Sequence, residues 1–142
     1  LAKHSQALDR FRQIRQGELE KLGQQYQQKQ QDSANHLQKL EQLDELYDSC
    51  QVVAGETALA WHNRFALRDH LKHLTEIQSQ TLALSKAEEA SLKHHVTQQH
   101  VKVKSLDNVI DKRRQHHERQ VARSEQKLMD EMAMQRFIRS NY

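Results

Sequence analysis

The chain has 142 residues, of which 36% are hydrophobic, 29% charged and 5% aromatic, with three glycines, no proline and a formal net charge of +3. An all-β sandwich or an α/β enzyme needs a turn former every ten residues or so, and this composition does not supply them. The hydrophobic fraction lies below the roughly 45–50% of globular domains, which excludes a large compact core and leaves disorder or long helices that each bury a narrow stripe.

Leucines at helical spacing decide for helices. The first predicted helix covers about residues 3–50. Leu40, Leu43, Tyr47 and Cys50 follow the alternating three- and four-residue steps of a coiled-coil seam, and Leu22 and Tyr26 keep the same rhythm. Between them the rhythm falls on Lys29, Ser33 and His36, so the seam is polar through the glutamine-rich run 24–31. That run favours helix but has little to bury. Gly17 and Gly23 each cost about 1 kcal/mol relative to alanine, and the loosest part of the helix is expected here.

Residues 51–57 (Gln-Val-Val-Ala-Gly-Glu-Thr) are the clear interruption. Val52 and Val53 disfavour helix slightly, Gly55 accepts positive φ and Thr57 suits an N-cap, which together predict the turn of a helical hairpin.

The second predicted helix covers about residues 58–137, without glycine after the turn and without proline. Its apolar stripe is expected through Trp61, Phe65, Leu71, Leu74, Ile77, Leu84, Leu92 and Val96, then Val103, Leu106, Ile110, Val121, Leu128 and Met132. Neither stripe is wide enough to hold a helix alone, so the two must pair, and a short turn makes them antiparallel. The predicted fold is all-α: one hairpin of two long helices, the second longer. Folding back evenly from the turn puts Leu8 opposite roughly residue 100. Residues from about 101 onward then lack a partner in their own chain, and their periodic apolar residues call for another chain.

The charge is divided along the same line. Residues 1–100 hold 12 Lys/Arg and 13 Asp/Glu; residues 101–142 hold 10 and 6. The basic excess reads either as a solvated helix surface or as a docking surface for an acidic partner. Cys50 is the only cysteine, so no internal disulfide forms, as suits a reducing compartment. No run approaches the ~18 apolar residues of a membrane span, and no signal-peptide core stands near the start. The chain begins at Leu1 rather than Met, as expected where the first native residues are absent.

Other chemistry is poorly supported. The histidines include His70 with His73 and the adjacent pairs His94–His95 and His116–His117. Adjacent residues point about 100° apart on a helix, and no zinc-type spacing occurs, so no metal or other cofactor is expected. A two-helix hairpin offers a groove but no dry pocket, and there is no phosphate-binding glycine loop, so no enzyme is expected. Lys112, Arg113, Arg114, Arg119 and Arg123 form a basic stretch, yet Asp107, Asp111, Glu118 and Glu125 interleave with it, which argues against nucleic acid. Trp61 and Phe65, one helical turn apart, read either as an apolar plug closing the tip with Tyr47 or as an anchor for a partner.

Residues 122–137 read Ala-Arg-Ser-Glu-Gln-Lys-Leu-Met-Asp-Glu-Met-Ala-Met-Gln-Arg-Phe. This string resembles the C-terminal signature of the FliJ family of the bacterial flagellar type III export apparatus. Arg123, Glu125, Gln126, Lys127, Asp130, Glu131, Ala133 and Phe137 match it. Leu40, Tyr47, Leu71, Leu74, Glu76 and Gln80 around the turn are also similar, whereas Gln78 and the many histidines depart from the pattern. The resemblance implies a non-enzymatic, cytoplasmic coiled-coil stalk, peripherally associated with the inner-membrane export apparatus. Its implied partners are the ring of the flagellar export ATPase, the membrane export gate and export chaperones, without nucleic acid or membrane insertion. On this basis the ATPase-binding residues are expected to be Arg113, Arg114, Arg119, Arg123, Lys127, Leu128, Met132 and Phe137. The gate-binding residues are expected to be Leu40, Leu43, Tyr47, Leu74 and Ile77. The alternatives are a stalk of a virulence-type secretion system, a homodimeric structural coiled coil and a basic-helix nucleic-acid binder.

Overall fold

The computed structural model describes residues 2–51 and 53–142, with side chains from residue 4 onward; Val52, expected within the turn, lies outside the described residues. Two helices account for almost all of it: α1 (Ala2–Ser49, 48 residues) and α2 (Ala58–Ser140, 83 residues). The described residues contain no strand. The all-helical hairpin with a longer second helix is therefore the observed fold class. The chain forms two compact units, one of Glu18–Gln99 and one of the residues up to Gly17 together with His100–Tyr142.

In the unit Glu18–Gln99, α1 and α2 run antiparallel. Leu19, Leu22, Tyr26, Lys29, Ser33, His36, Leu40, Leu43 and Tyr47 of α1 are buried or partly covered in an unbroken alternation of threes and fours, with Gly23 and Asp32 also partly covered beside them. On α2 the corresponding positions are Leu71, Thr75, Gln78, Leu82, Ser85, Glu89, Leu92, Val96 and Gln99. This corrects the expected stripe, because Trp61, Phe65, Leu74, Ile77 and Leu84 are all exposed. The reason is angular. Each three-residue step falls about 60° short of a full rotation, so Leu71, Leu74 and Ile77 in succession swing off the seam. Alternating threes and fours stay on it.

The polar middle of the seam is paired rather than loose. Ser33 is 0% exposed, and its hydroxyl lies 2.7 Å from that of Ser85. Lys29 pairs with Glu88, and the Gln78 amide donates to the His36 carbonyl at 3.1 Å. The hydrogen bond to Glu88 raises the Lys29 pKa above its ordinary 10.5, against the opposing effect of burial. The stability from that shift is fully present below the unfolded value and is lost only as pH rises through the raised one. Lys29 therefore stays charged across the neutral range.

The connection carries the expected chemistry. Gly55 has φ of 92°, and the Thr57 hydroxyl accepts from the Ala60 amide at 3.2 Å as an N-cap. Its path is not a level turn, however. The Arg64 guanidinium donates to the Gln51 carbonyl at 2.5 Å and pairs with Glu56 at 2.5 Å, so the connection lies back along α2. The Arg68 guanidinium sits 4.5 Å from the Tyr47 ring centre. Since α1 ends at Ser49, the first turns of α2 extend past the end of α1 with no helix opposite them.

Gly17 and Gly23 both sit inside α1, and a Cβ on either would meet no atom within 4 Å. Changing each to alanine should therefore raise stability by about 1 kcal/mol, seen as a higher urea midpoint. An unchanged midpoint would show that these positions are not held in helix.

Candidate functional site

In the other unit, Arg12 of α1 pairs with Asp107 of α2, and Leu8 and Ile110 line one groove. The hydrogen bond that Arg12 donates to Asp107, then the carboxylate's charge, raises the Arg12 pKa. Val103 is only 5% exposed, and Leu106 and Ile110 are partly covered. The expected loss of pairing at about residue 101 is thus corrected. Level folding put Leu8 opposite residue 100, whereas the observed pairing brings it to Ile110.

From residue 111 to residue 142 every position is exposed. This extension holds eight Lys/Arg and five Asp/Glu. All eight residues expected to bind the ATPase lie in it, and Leu128, Met132 and Phe137 are more than half exposed. Val121, Leu128 and Met132 follow steps of seven and four, so they share one face of the helix.

Where pairing ends, a groove of about 770 Å³ opens between the start of α1 and α2. Leu8 and Ile110 contribute apolar surface; Lys112, Arg113, Arg114, His116 and His117 line it from α2, and His4, Ser5 and Asp9 from α1. The structure brings Arg113 and Arg114 together here. Arg119, Arg123, Lys127, Leu128, Met132 and Phe137 are not among the groove residues and lie further along the exposed helix. Sequence reasoning missed Lys112, His116 and the α1 side of the groove. The available signal was the seam rhythm linking Leu8 to Arg12, but using it required the register.

The residues expected at the gate divide into two groups. Leu40, Leu43 and Tyr47 are partly covered in the seam, whereas Leu74 and Ile77 are exposed. Leu67, Leu74, Ile77 and Leu84, all exposed, follow steps of seven, three and seven beside the seam. They form a second apolar stripe on α2. Among the described residues no group of three or more His, Cys, Asp or Glu could hold a metal ion, and no helix is long and apolar enough to cross a membrane.

An antiparallel pair of long helices, with an exposed basic stretch on the second, defines the class of two-helix coiled-coil proteins. The family model of the flagellar FliJ protein matches residues 4–142, and the chain belongs to that family, which makes it a protein of flagellar export. Neither a curated protein nor a solved structure gives a significant match.

Proposed function

We propose that the protein is the coiled-coil stalk of the flagellar type III export apparatus. Its unpaired end enters the export ATPase ring, and its hairpin engages the membrane export gate. It handles export chaperones and couples ATPase turnover to the gate with no chemistry of its own. One observation carries this reading: residues 111–142 are exposed throughout, basic overall and still apolar along one face. A lone amphipathic helix of that kind has little to stabilise it until another surface covers it. The cavity of a ring with acidic walls supplies both the apolar cover and the opposite charge.

The test is co-purification with the export ATPase followed by a turnover assay with and without the chain. Binding and faster turnover are expected, with no hydrolysis by the chain alone. A lack of binding, together with a concentration-dependent dimer in sedimentation, would favour the homodimeric coiled coil instead.

For the gate, the proposed contact is Leu74 and Ile77 of the exposed stripe, flanked by the edges of Leu40, Leu43 and Tyr47. Leu74→Asp and Ile77→Asp should each weaken gate binding about tenfold or more, as truncation of an apolar anchor does. Helix content by circular dichroism should hold, because both side chains are exposed. Tyr47→Asp should also cost stability, since it removes the Arg68 stack. Unchanged gate affinity in both α2 variants would place the contact elsewhere.

A further inference from the structure

The start of α2 carries a feature the stalk reading does not use. Trp61 and Phe65 stack with ring centres 5.6 Å apart and planes 15° from parallel, yet they are 47% and 59% exposed. Leu59 beside them is exposed too. They are not a plug, because α1 ends before reaching them. Exposed aromatic pairs held rigidly on a helix are the residue type that dominates binding hot spots.

The sequence leading into them is acidic. Between Lys39 and Arg64 there is no Lys or Arg, while Glu41, Asp44, Glu45, Asp48 and Glu56 all fall in that interval. The cations beside the pair are already engaged: Arg64 by Glu56 and the Gln51 carbonyl, and Arg68, one turn beyond Phe65, by the Tyr47 ring. Glu41, Asp44 and Asp48 follow steps of three and four, so they share one exposed face of α1. Asp69 stands one turn beyond Phe65 on the face of the aromatic pair. One oxygen of Glu56 is also buried with no hydrogen-bond donor among the described residues.

We propose that the Trp61–Phe65 stack is a docking site for a basic amphipathic segment of a partner protein. Its apolar side chains cover the two rings, and its Lys or Arg groups meet Asp48 and Asp69. Guanidinium and ammonium groups are also attracted to the ring faces themselves. An anionic bilayer, the other surface that takes exposed tryptophan, is repelled by the same carboxylates.

Trp61 is the only tryptophan, so its fluorescence reports this site alone. The full chain is titrated with a Lys/Leu amphipathic peptide, with its Glu/Leu counterpart, and with phosphatidylcholine/phosphatidylglycerol vesicles. Only the Lys/Leu peptide should shift Trp61 emission to the blue, and added salt should weaken the response. Phe65→Ala, and separately Asp48→Lys with Asp69→Lys, should each weaken binding about tenfold or more. Asp130→Lys with Glu131→Lys in the extension should leave it unchanged, which separates the site from general attraction of cations. Circular dichroism verifies that the variants keep their helix. An equal response to the Glu/Leu peptide, a response to vesicles, or no loss with Phe65→Ala would overturn the proposal.

Discussion

Changing Arg119 and Arg123 together to glutamate should weaken binding to the export ATPase about ten- to a hundredfold, leaving the hairpin folded. Both residues are exposed on the free chain, so neither contributes to folding through a buried contact. Each exposed ion pair is worth about 0.2–1 kcal/mol. Reversal replaces that attraction with a repulsion of similar size, so two reversals reach roughly 0.8–4 kcal/mol, a range that brackets ten- to a hundredfold at about 1.4 kcal/mol per tenfold. The loss should fall mainly on the association rate and shrink at high ionic strength, because the Debye length contracts from about 10 Å at 0.1 M to about 3 Å at 1 M. Arg113 and Arg114 differ in setting, since they line the groove beside Leu8 and Ile110. Surface plasmon resonance against the immobilised ATPase at two salt concentrations measures the effect. Affinity and ATPase stimulation that survive the double reversal would remove the basic extension from the interface.

The second large effect concerns the serine layer. Ser33 is wholly buried against Ser85, so the space between the helices there is sized for two hydroxymethyl groups. Ser33→Leu forces extra carbons into that space, and overpacking of this kind costs about 1–3 kcal/mol. Ser33→Ala alone leaves the Ser85 hydroxyl short of its partner and should cost about 1–3 kcal/mol, while Ser33→Ala with Ser85→Ala should be near neutral or stabilising. The expected pattern is a double variant more stable than either single one, read from urea unfolding monitored by circular dichroism. Singles and double that simply add would show that the two hydroxyls do not depend on each other. A pair of this kind favours one alignment of the helices, much as a buried polar residue does in other coiled coils.

Much of the architecture was legible before the structure. The absence of proline and the spacing of Leu40, Leu43 and Tyr47 pointed to helices, and Gly55 and Thr57 marked the connection with the right local chemistry. The seam of α2 was less legible. Leucines and isoleucines at Leu74, Ile77 and Leu84 attracted the prediction, while the true seam positions include Thr75, Gln78, Ser85 and Glu89, which no apolar count would select. Hydrophobicity alone therefore misplaced residues that the structure puts on an exposed stripe. The same misplacement left open whether Trp61 and Phe65 are covered, and their exposure follows from where α1 ends.

By itself the sequence determined that the chain is helical, thinly apolar, and basic only in its last third, because propensity, breakers and charge are local properties. Only the tertiary structure decided the register. A heptad seam is nearly unchanged by a slide of seven residues, so its apolar pattern cannot select one alignment over the next. The selection comes from contacts that a slide would break: Ser33 with Ser85 and Lys29 with Glu88 in one unit, Arg12 with Asp107 in the other, and Arg64 holding the connection against α2. That register moves the start of the unpaired basic helix from about residue 101 to beyond residues 112–120, which line the groove with the start of α1, and it leaves the aromatic pair at the start of α2 uncovered.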